Sequence, residues 1–333
     1  MRDSLPPLRY LSADDVRAAM PAVQERIALA RRTLVALVGD AELPPKLGVH
    51  PRQPAAHVAA MPALLRGPDM SGVDDLMGVK WVTAFPENRA HGIPGIHATV
   101  ILSDPTTGVP LAVLDGAPIT AERTAAVSGV ALREWWPTAL GSARVALLGA
   151  GVQGMSHVAV LAHVGQGSRL TIVDRHRERA EELAAHARAT GRFADVSVMS
   201  EAEPAVAAAD VVLTMVSFGA QHQGVAAASF ARARLIVAVD YDMSVPATVA
   251  AGACRFYVDD IRQFEATRSD TSFRGYPSAD ASLGQALLGQ APSPRVSGPT
   301  VVNHLGVGLA DVIFADTIVR RAEQLGLGTE LTR

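Results

Sequence analysis

Three glycines, Gly149, Gly151 and Gly154, stand in the run VALLGAGVQGMSH with the spacing G-x-G-x-x-G. They close an apolar stretch that reads as a strand and open one that reads as a helix. Asp174 ends the next strand-like run, RLTIVD, twenty residues after the last glycine. That order suits a dinucleotide. The glycines let backbone approach a pyrophosphate, the helix N-terminus stabilises its charge, and the carboxylate bonds the ribose hydroxyls. The spacing alone would fit an ordinary turn in an Ala/Gly-rich chain; the strand before, the helix after and the acid beyond select the cofactor reading. Asp174 would repel a 2′-phosphate and favours NAD, whereas Arg175 and Arg177 could embrace that phosphate and leave NADP open.

Redox chemistry beside a nicotinamide also needs groups that move protons. Of the 30 lysines and arginines only two, Lys46 and Lys80, are lysines. Nucleotide bias explains the excess of arginine, but arginine cannot release a proton at working pH and lysine can, so a surviving lysine marks a place where arginine fails. Lys80 lies in GVKWV, a strand pattern with apolar neighbours. There it either snorkels to solvent or, in a water-poor pocket, loses basicity and can exchange a proton with a substrate nitrogen. Asp240 and Asp242, in LIVAVDYD, fall at the carboxyl end of a predicted parallel strand, where open α/β sheets place their ligands. They are two residues apart and share a strand face.

Arg123 lies in ITAERTAA, the predicted first turn of a helix with Thr120 as its N-cap. A guanidinium there can hold a carboxylate bidentately with help from the helix terminus, though a surface arginine fits the bare sequence as well. His157, on the helix after the glycines, reads as structural. The histidines show no metal-ligand spacing such as H-E-x-x-H, and no metal is expected.

The elements that must position these residues change character near residue 120. Before it, HVAAMPALL, GVKWVTAF, IHATVILSD and GVPLAVLDG read as strands joined by Pro and Gly turns, an α+β arrangement with a mainly antiparallel sheet. After it, strands alternate with helices: ARVALLGAG, a helix from Val152 to His163, RLTIVD, a helix in RERAEELAAHARATG, then DVSVMS, DVVLTMVS, RLIVAVDYD and RFYVDD. Alternation of this kind argues for a parallel sheet covered by helices. GQAPSPRVSGPT reads as a surface loop, and GLADVIFADTIVRRAEQLG is amphipathic at helical spacing. The expected fold is α/β: a Rossmann-type dinucleotide-binding domain, residues 121–303, plus an α+β domain, residues 1–120 with 304–333.

Bulk properties limit the partners. The chain has 333 residues, room for two buried cores, and a net charge of −3 with no basic run, which gives no reason to expect a nucleic acid. Cys254 is the single cysteine, so no internal disulfide is possible. MRDSLPPLRYLSADDV lacks the apolar core of a signal peptide and no later stretch could span a bilayer; a cytoplasmic protein is expected.

Several stretches together resemble the ornithine cyclodeaminase/μ-crystallin family: AAMPALL, MGVKWVTAFPEN, GVPLAVLDGAPITAERTAAVSGVA, LLGAGVQGMSH, AVDYD and the closing NHLGVGLAD, in order from about residue 40 to 325. The T-A-x-R-T-A-A and G-A-G-x-Q-x-x-x-H elements are specific together, because neither follows from a nucleotide fold alone. The resemblance implies homodimers in which the α+β domain, residues 1–120 with 304–333, is the substrate and dimerisation domain and the C-terminal helix returns to it, and it implies carbon–nitrogen redox chemistry. It places Lys80 on the active-site lysine, Arg123 on the arginine that grips the substrate carboxylate and Asp242 on the acid/base aspartate. The usual A-V-G-x-D-x-P-G has Asp240 for its glycine here and continues as MSVP. Lys46 falls near a carboxylate-binding arginine, a charge that Arg52 could supply instead, and Met61 opens the M-P element that borders the substrate. The resemblance adds Thr124, Val152, Gln153 and Gly306 to the cofactor contacts.

The expected function is therefore an NAD(P)H-dependent reductase of an imine derived from an amino or keto acid, or the reverse amino-acid dehydrogenase. An ornithine- or lysine-type cyclodeaminase is the alternative, and an NAD(P)-dependent small-ligand-binding protein without turnover is a third reading. Against cyclodeamination, the family's ornithine enzymes carry a glutamate two residues before the methionine of M-P, and Ala59 stands there. His57 and Asp69 are the nearest replacements, each needing a different loop path.

Overall fold

The computed structural model describes residues 5–53, 56–68, 72, 74–136, 143–219, 221–269, 272–295 and 297–333. They gather into two compact units, residues 1–123 with 306–333 and residues 124–305.

The first unit is built on an eight-stranded sheet ordered Thr329–Leu331, Leu8–Leu11, Pro110–Asp115, Ile96–Ser103, Leu76–Ala84, His57–Leu65 and Ala41–Glu42, with Leu47–Val49 also paired to His57–Leu65. All pairs are antiparallel except Leu8–Leu11 with Pro110–Asp115. Alternation sets its faces: Val58 aside, odd positions of His57–Leu65 from Ala59 onward are buried and even ones half-exposed. The buried face packs against helix Gly308–Leu325, whose apolar residues recur at helical spacing. Gly308 permits that packing, because a Cβ there would run into the Met61 carbonyl. An amphipathic helix Val23–Ala36, which the strand-centred reading of the sequence does not contain, packs on Gly308–Leu325 in turn.

The second unit carries an all-parallel sheet ordered Asp195–Met199, Arg169–Val173, Arg144–Leu148, Val211–Thr214, Leu235–Ala238, Thr300–Asn303, Arg255–Val258 and Ala281–Ser282. The chain steps outward from Arg144–Leu148 twice, then returns to lay Val211–Thr214 on its other side. That reversal opens a crevice at the carboxyl ends of those two strands, the usual ligand position in such sheets. The central strands are apolar on both faces, as a sheet covered twice requires. Thr300–Asn303 inserts between Leu235–Ala238 and Arg255–Val258, a strand hidden in the sequence because its four residues overlap the end of a surface loop and the start of NHLG.

One sequence expectation is corrected. Helix Gly116–Trp135 begins four residues earlier than Thr120, and the Asp115 carboxylate accepts the Ala117 N–H at its start. Thr120 is therefore inside the helix and Arg123 lies two turns in, beyond reach of the terminal N–H groups. Asp115 caps because the preceding strand ends on it, leaving no turn in which Thr120 could serve.

Candidate functional site

In the second unit the three glycines meet three different demands. Gly149 has φ +109°, and a Cβ there would lie 2.5 Å from the Met215 carbonyl oxygen, so the turn requires glycine. Gly151 faces open space, with nothing within 4 Å of a Cβ position, which leaves backbone free to meet a ligand. At Gly154 a Cβ would stand 2.5 Å from the Gly149 carbonyl oxygen and 2.9 Å from Leu183, so this glycine brings helix Val152–Val164 down onto the strand. Val152 is 72% exposed at the helix start, and the Gln153 side-chain oxygen beside it is buried with no hydrogen-bond partner. Asp174 follows the strand Arg169–Val173; its carboxylate accepts the N–H groups of Ala150 (2.8 Å) and His176 (2.8 Å), which ties it to the glycine turn. Arg175 is exposed beside it, its Nε directed at His176.

His157 is buried and structural in character. Its Nδ1 donates to the Gln153 carbonyl oxygen at 2.7 Å, which fixes the tautomer, so Nε2 accepts from Ser128 Oγ at 2.8 Å. Ser128 Oγ in turn accepts from His304 Nε2 at 2.8 Å. Burial pushes His157 down to about 4, keeping it neutral.

Asp240 and Asp242 lie in the turn after Leu235–Ala238 rather than on the strand itself. Their surroundings differ. Asp240 accepts from Thr214 Oγ1 (2.7 Å), Ser244 Oγ (2.7 Å) and the Val216 N–H (3.1 Å), tying together two strand ends, and burial raises it to about 6. Asp242 accepts from His222 Nδ1 at 2.9 Å and from the Phe273 N–H at 2.8 Å. The His222 side chain is 42% exposed while that of Asp242 is 2% exposed, so the histidine links a buried carboxylate to solvent. His222 has no metal-ligand spacing to single it out in the sequence; its signal there is its position in a Gly/Gln loop after a parallel strand.

The backbone here is strained. Among the described residues, left-handed φ at non-glycine positions occurs at Gln223 (54°), Tyr241 (58°) and Phe273 (61°). Gln223 N–H donates to the Asp242 carbonyl, Phe273 N–H to its carboxylate, and Tyr241 precedes it and stacks on Phe273 at 5.6 Å. Strain of about 1–3 kcal/mol at each position is retained only where surrounding structure over-determines it, commonly at functional sites.

In the first unit Lys80 is 1% exposed and forms an ion pair with Asp311 at 2.7 Å; its Nζ also lies 3.4 Å from Thr120 Oγ1. Arg123 Nε donates to the other oxygen of Asp311 at 3.2 Å. Burial, reinforced by the Arg123 charge, pushes Lys80 down to about 7, against the pull of Asp311. One carboxylate thus faces two cations, and a net positive charge remains when Lys80 is protonated. Asp311 lies inside the NHLGVGLAD run, and an acid on the apolar stripe of an amphipathic helix was its sequence signal.

Met61 is level with Lys80 on the adjacent strand and buried. Lys46 is close enough for its charge to act on Lys80, whereas Arg52 is exposed. Gly306, with φ +83°, packs against the Arg123 guanidinium. Thr124 is buried one residue after Arg123 and belongs to the second unit. Ala59 is buried on the same sheet face as Met61, His57 is exposed on that face, and Asp69 lies outside the described residues. Among the described residues no group of His, Cys, Asp and Glu could hold a metal ion, and no helix is long and apolar enough to cross a membrane.

The profile of the ornithine cyclodeaminase/mu-crystallin family matches residues 14–229. The chain is 32% identical over 328 residues to nodulation efficiency protein NfeD of Rhizobium meliloti, covering 97% of this chain and 98% of that one. It is 37% identical over 148 residues to ketimine reductase mu-crystallin of Rattus norvegicus, covering 44% and 45%. Among solved structures it is similar to Thermococcus litoralis Δ1-pyrroline-2-carboxylate reductase in complex with NADH and L-proline, with a TM-score of 0.79 at 21% identity, covering 96% and 99%.

Proposed function

The chain belongs to the ornithine cyclodeaminase/mu-crystallin family, and on that premise we propose that it is an NAD(H)-dependent oxidoreductase acting at C–N bonds, reducing an imine of a 2-oxo acid to the amine. The observation that carries this reading is Lys80, fully buried, held near neutrality and sharing Asp311 with Arg123. A lysine so placed can exchange a proton with a substrate nitrogen, which a pure binding protein does not need.

The residues present fit a dinucleotide. Gly149 and Gly154 hold a turn that a Cβ would fill, Gly151 leaves its approach open, and the unpartnered Gln153 oxygen offers an acceptor beside the helix N-terminus. Asp174 would take the ribose hydroxyls while staying anchored to Ala150. Bound NADH supplies the hydride that saturates the imine carbon.

Arg123, with Lys46, takes the substrate carboxylate and so fixes the carbon to be reduced, removing motional freedom before the reaction. Its Nε is already committed to Asp311, which holds the guanidinium in one orientation. Lys80 in its ammonium form gives a proton to the nitrogen as the carbon gains hydride; C=N becomes CH–NH, and Lys80 is left neutral inside its dry pocket. Asp242, oriented by His222 and Phe273, is the acid/base of the second unit. For the reverse dehydrogenase the same groups act with protonation states exchanged.

The test is an assay of NADH oxidation with 2-oxo acids plus ammonia or methylamine. Reduction is expected with NADH preferred over NADPH, because Asp174 stands where a 2′-phosphate would go, and ornithine or lysine is expected to release little ammonia. Ala59 offers no carboxylate to a second ammonium, and leaving that charge unpaired in a closed site costs several kcal/mol. Proline formation from ornithine with no net change in NADH would overturn the reductase reading, and a preference for NADPH would assign the ribose site to Arg175 or Arg177.

We also propose a homodimer through the sheet face opposite helix Gly308–Leu325. Strand register puts Tyr10, Leu47, Trp81 and Leu111 on that face, and all four are exposed, Trp81 by 46%. A broad apolar sheet face needs a cover, and a second copy presents an identical one. Light scattering at micromolar concentration is expected to give twice the 34.8 kDa chain mass; Trp81→Lys should give the monomer.

A further inference from the structure

Residues 306–311, at the head of helix Gly308–Leu325, meet the substrate side of the first unit at three points. Asp311 pairs with Lys80 and with Arg123 Nε. Gly308 lets the strand of Met61 lie against the helix, since a Cβ there would run into the Met61 carbonyl. Gly306 has no polar side chain to offer, yet it is set against the working end of Arg123.

A Cβ on Gly306 would lie 2.7 Å from Arg123 Nη2 and 2.9 Å from Cζ, with Nη1 nearer still. Both terminal nitrogens are thus closer to that point than the carbon that joins them. Over the guanidinium face the carbon would be the nearest atom, so the point lies in front of the fork. That is where a carboxylate docks bidentately. A side chain at 306 would either stand in the carboxylate's place or push the guanidinium aside. Pushing it aside is unfavourable, because Arg123 is 5% exposed and its Nε is tied to Asp311. The φ of +83° does not by itself select glycine, since asparagine and aspartate also adopt positive φ. Asparagine would bring a Cβ into the fork, and aspartate a Cβ with a charge that neutralises it. Space selects glycine here.

We propose that Gly306 is a positioning residue for the substrate carboxylate, its missing side chain keeping the Arg123 fork open in the orientation that Asp311 fixes. The inference rests on the reductase reading above and deepens it at the carboxylate end. It places Gly306 with the substrate, apart from the cofactor contacts among which the family resemblance counts it.

The test sets Gly306→Ala against Gly326→Ala, which adds the same carbon at another left-handed glycine (φ +68°) with nothing within 4 Å. Pyruvate, 2-oxobutyrate and phenylpyruvate are the probes, each with NADH and methylamine. Gly306→Ala is expected to lower kcat/KM for the 2-oxo acid at least tenfold, chiefly through KM. Its NADH affinity, by fluorescence titration, should stay within twofold, and Gly326→Ala should change neither. Weakened NADH binding at an unchanged KM overturns the proposal. Arg123→Lys keeps a charge without a fork, so in that background Gly306→Ala should cost less than a further threefold. A full additional loss means two independent roles and also overturns it. If Gly306→Ala fails to fold and the double variant folds, the collision with the guanidinium is the cause; failure of both counts against the proposal. Should the wild type reduce none of these acids, thermal shift by the same acids decides. Stabilisation of the wild type that Gly306→Ala loses keeps the role of Gly306 and removes the reaction. An equal shift in both proteins, zero included, removes the role.

Discussion

Lys80→Arg lowers kcat for imine reduction at least about a hundredfold, the scale of a lost general acid, although it preserves the charge. A guanidinium does not release its proton at any working pH. The wild-type ammonium can, because burial and Arg123 bring it down to about 7. The pH dependence follows with a definite sign. Reduction needs the ammonium, so kcat/KM in that direction falls as pH rises through about 7, and oxidation of the amine rises over the same interval. Asp311 opposes the shift; Asp311→Asn therefore moves the inflection to lower pH, whereas a merely structural Asp311 would change the rate and leave the inflection in place.

Stability carries the same signature. The folded pKa lies below the ordinary 10.5, so the unfolded chain binds more protons between about 7 and 10.5 and stability rises with pH across that window. The contribution is complete above the unfolded value and lost as pH falls through about 7. Lys80→Met should flatten that part of a plot of melting temperature against pH. Near-wild-type turnover in Lys80→Arg, or an inflection unmoved by Asp311→Asn, would remove Lys80 from the proton path.

The glycine turn was legible in the sequence because each of its residues answers a local demand: a strand end, an open approach, a close helix contact. Gly149, Gly151 and Gly154 do these three things in the structure. The alternation of Leu76–Ala84 likewise turned Lys80 toward the buried face, a matter of parity. What was not legible depends on residues far apart in the chain. Asp311 is separated from Arg123 by 188 positions, and only the packing of helix Gly308–Leu325 on the sheet brings its carboxylate to Lys80. Thr300–Asn303 was hidden for a related reason. Four residues give too little pattern to distinguish a central strand from the end of a loop, and its place in the sheet is fixed by its neighbours. The helix start at Gly116 was misjudged because Ser, Thr and Asp all cap helices, and the choice between Asp115 and Thr120 depends on where the preceding strand stops.

Asp242→Asn is expected to lower turnover at least about a hundredfold while NADH affinity, read by fluorescence titration, stays close to wild type. The two aspartates of the VDYD turn invite confusion, and their partners separate them. Asp240 is saturated: three donors, two hydroxyls and an amide, surround a carboxylate that is 2% exposed. It braces Thr214 at the end of one strand to Ser244 beyond the next. Asp240→Asn replaces one acceptor by a donor facing hydroxyls and an N–H, so its effect should fall on stability, about 1–3 kcal/mol. Asp242 accepts one backbone N–H and one imidazole, and the imidazole reaches solvent. A carboxylate with that outlet can take up and return a proton. Gln223 and Phe273, which donate to Asp242, and Tyr241, which precedes it, all have left-handed backbone, a strain that functional turns commonly retain. His222→Gln should then fall between the two aspartate variants in turnover. Asparagine at 242 keeps the Phe273 hydrogen bond and most of the volume, so the fold should survive. If Asp240→Asn instead reduced turnover more than Asp242→Asn at equal melting temperature, the acid/base would be the first aspartate of the turn, with Thr214 and Ser244 as its proton partners.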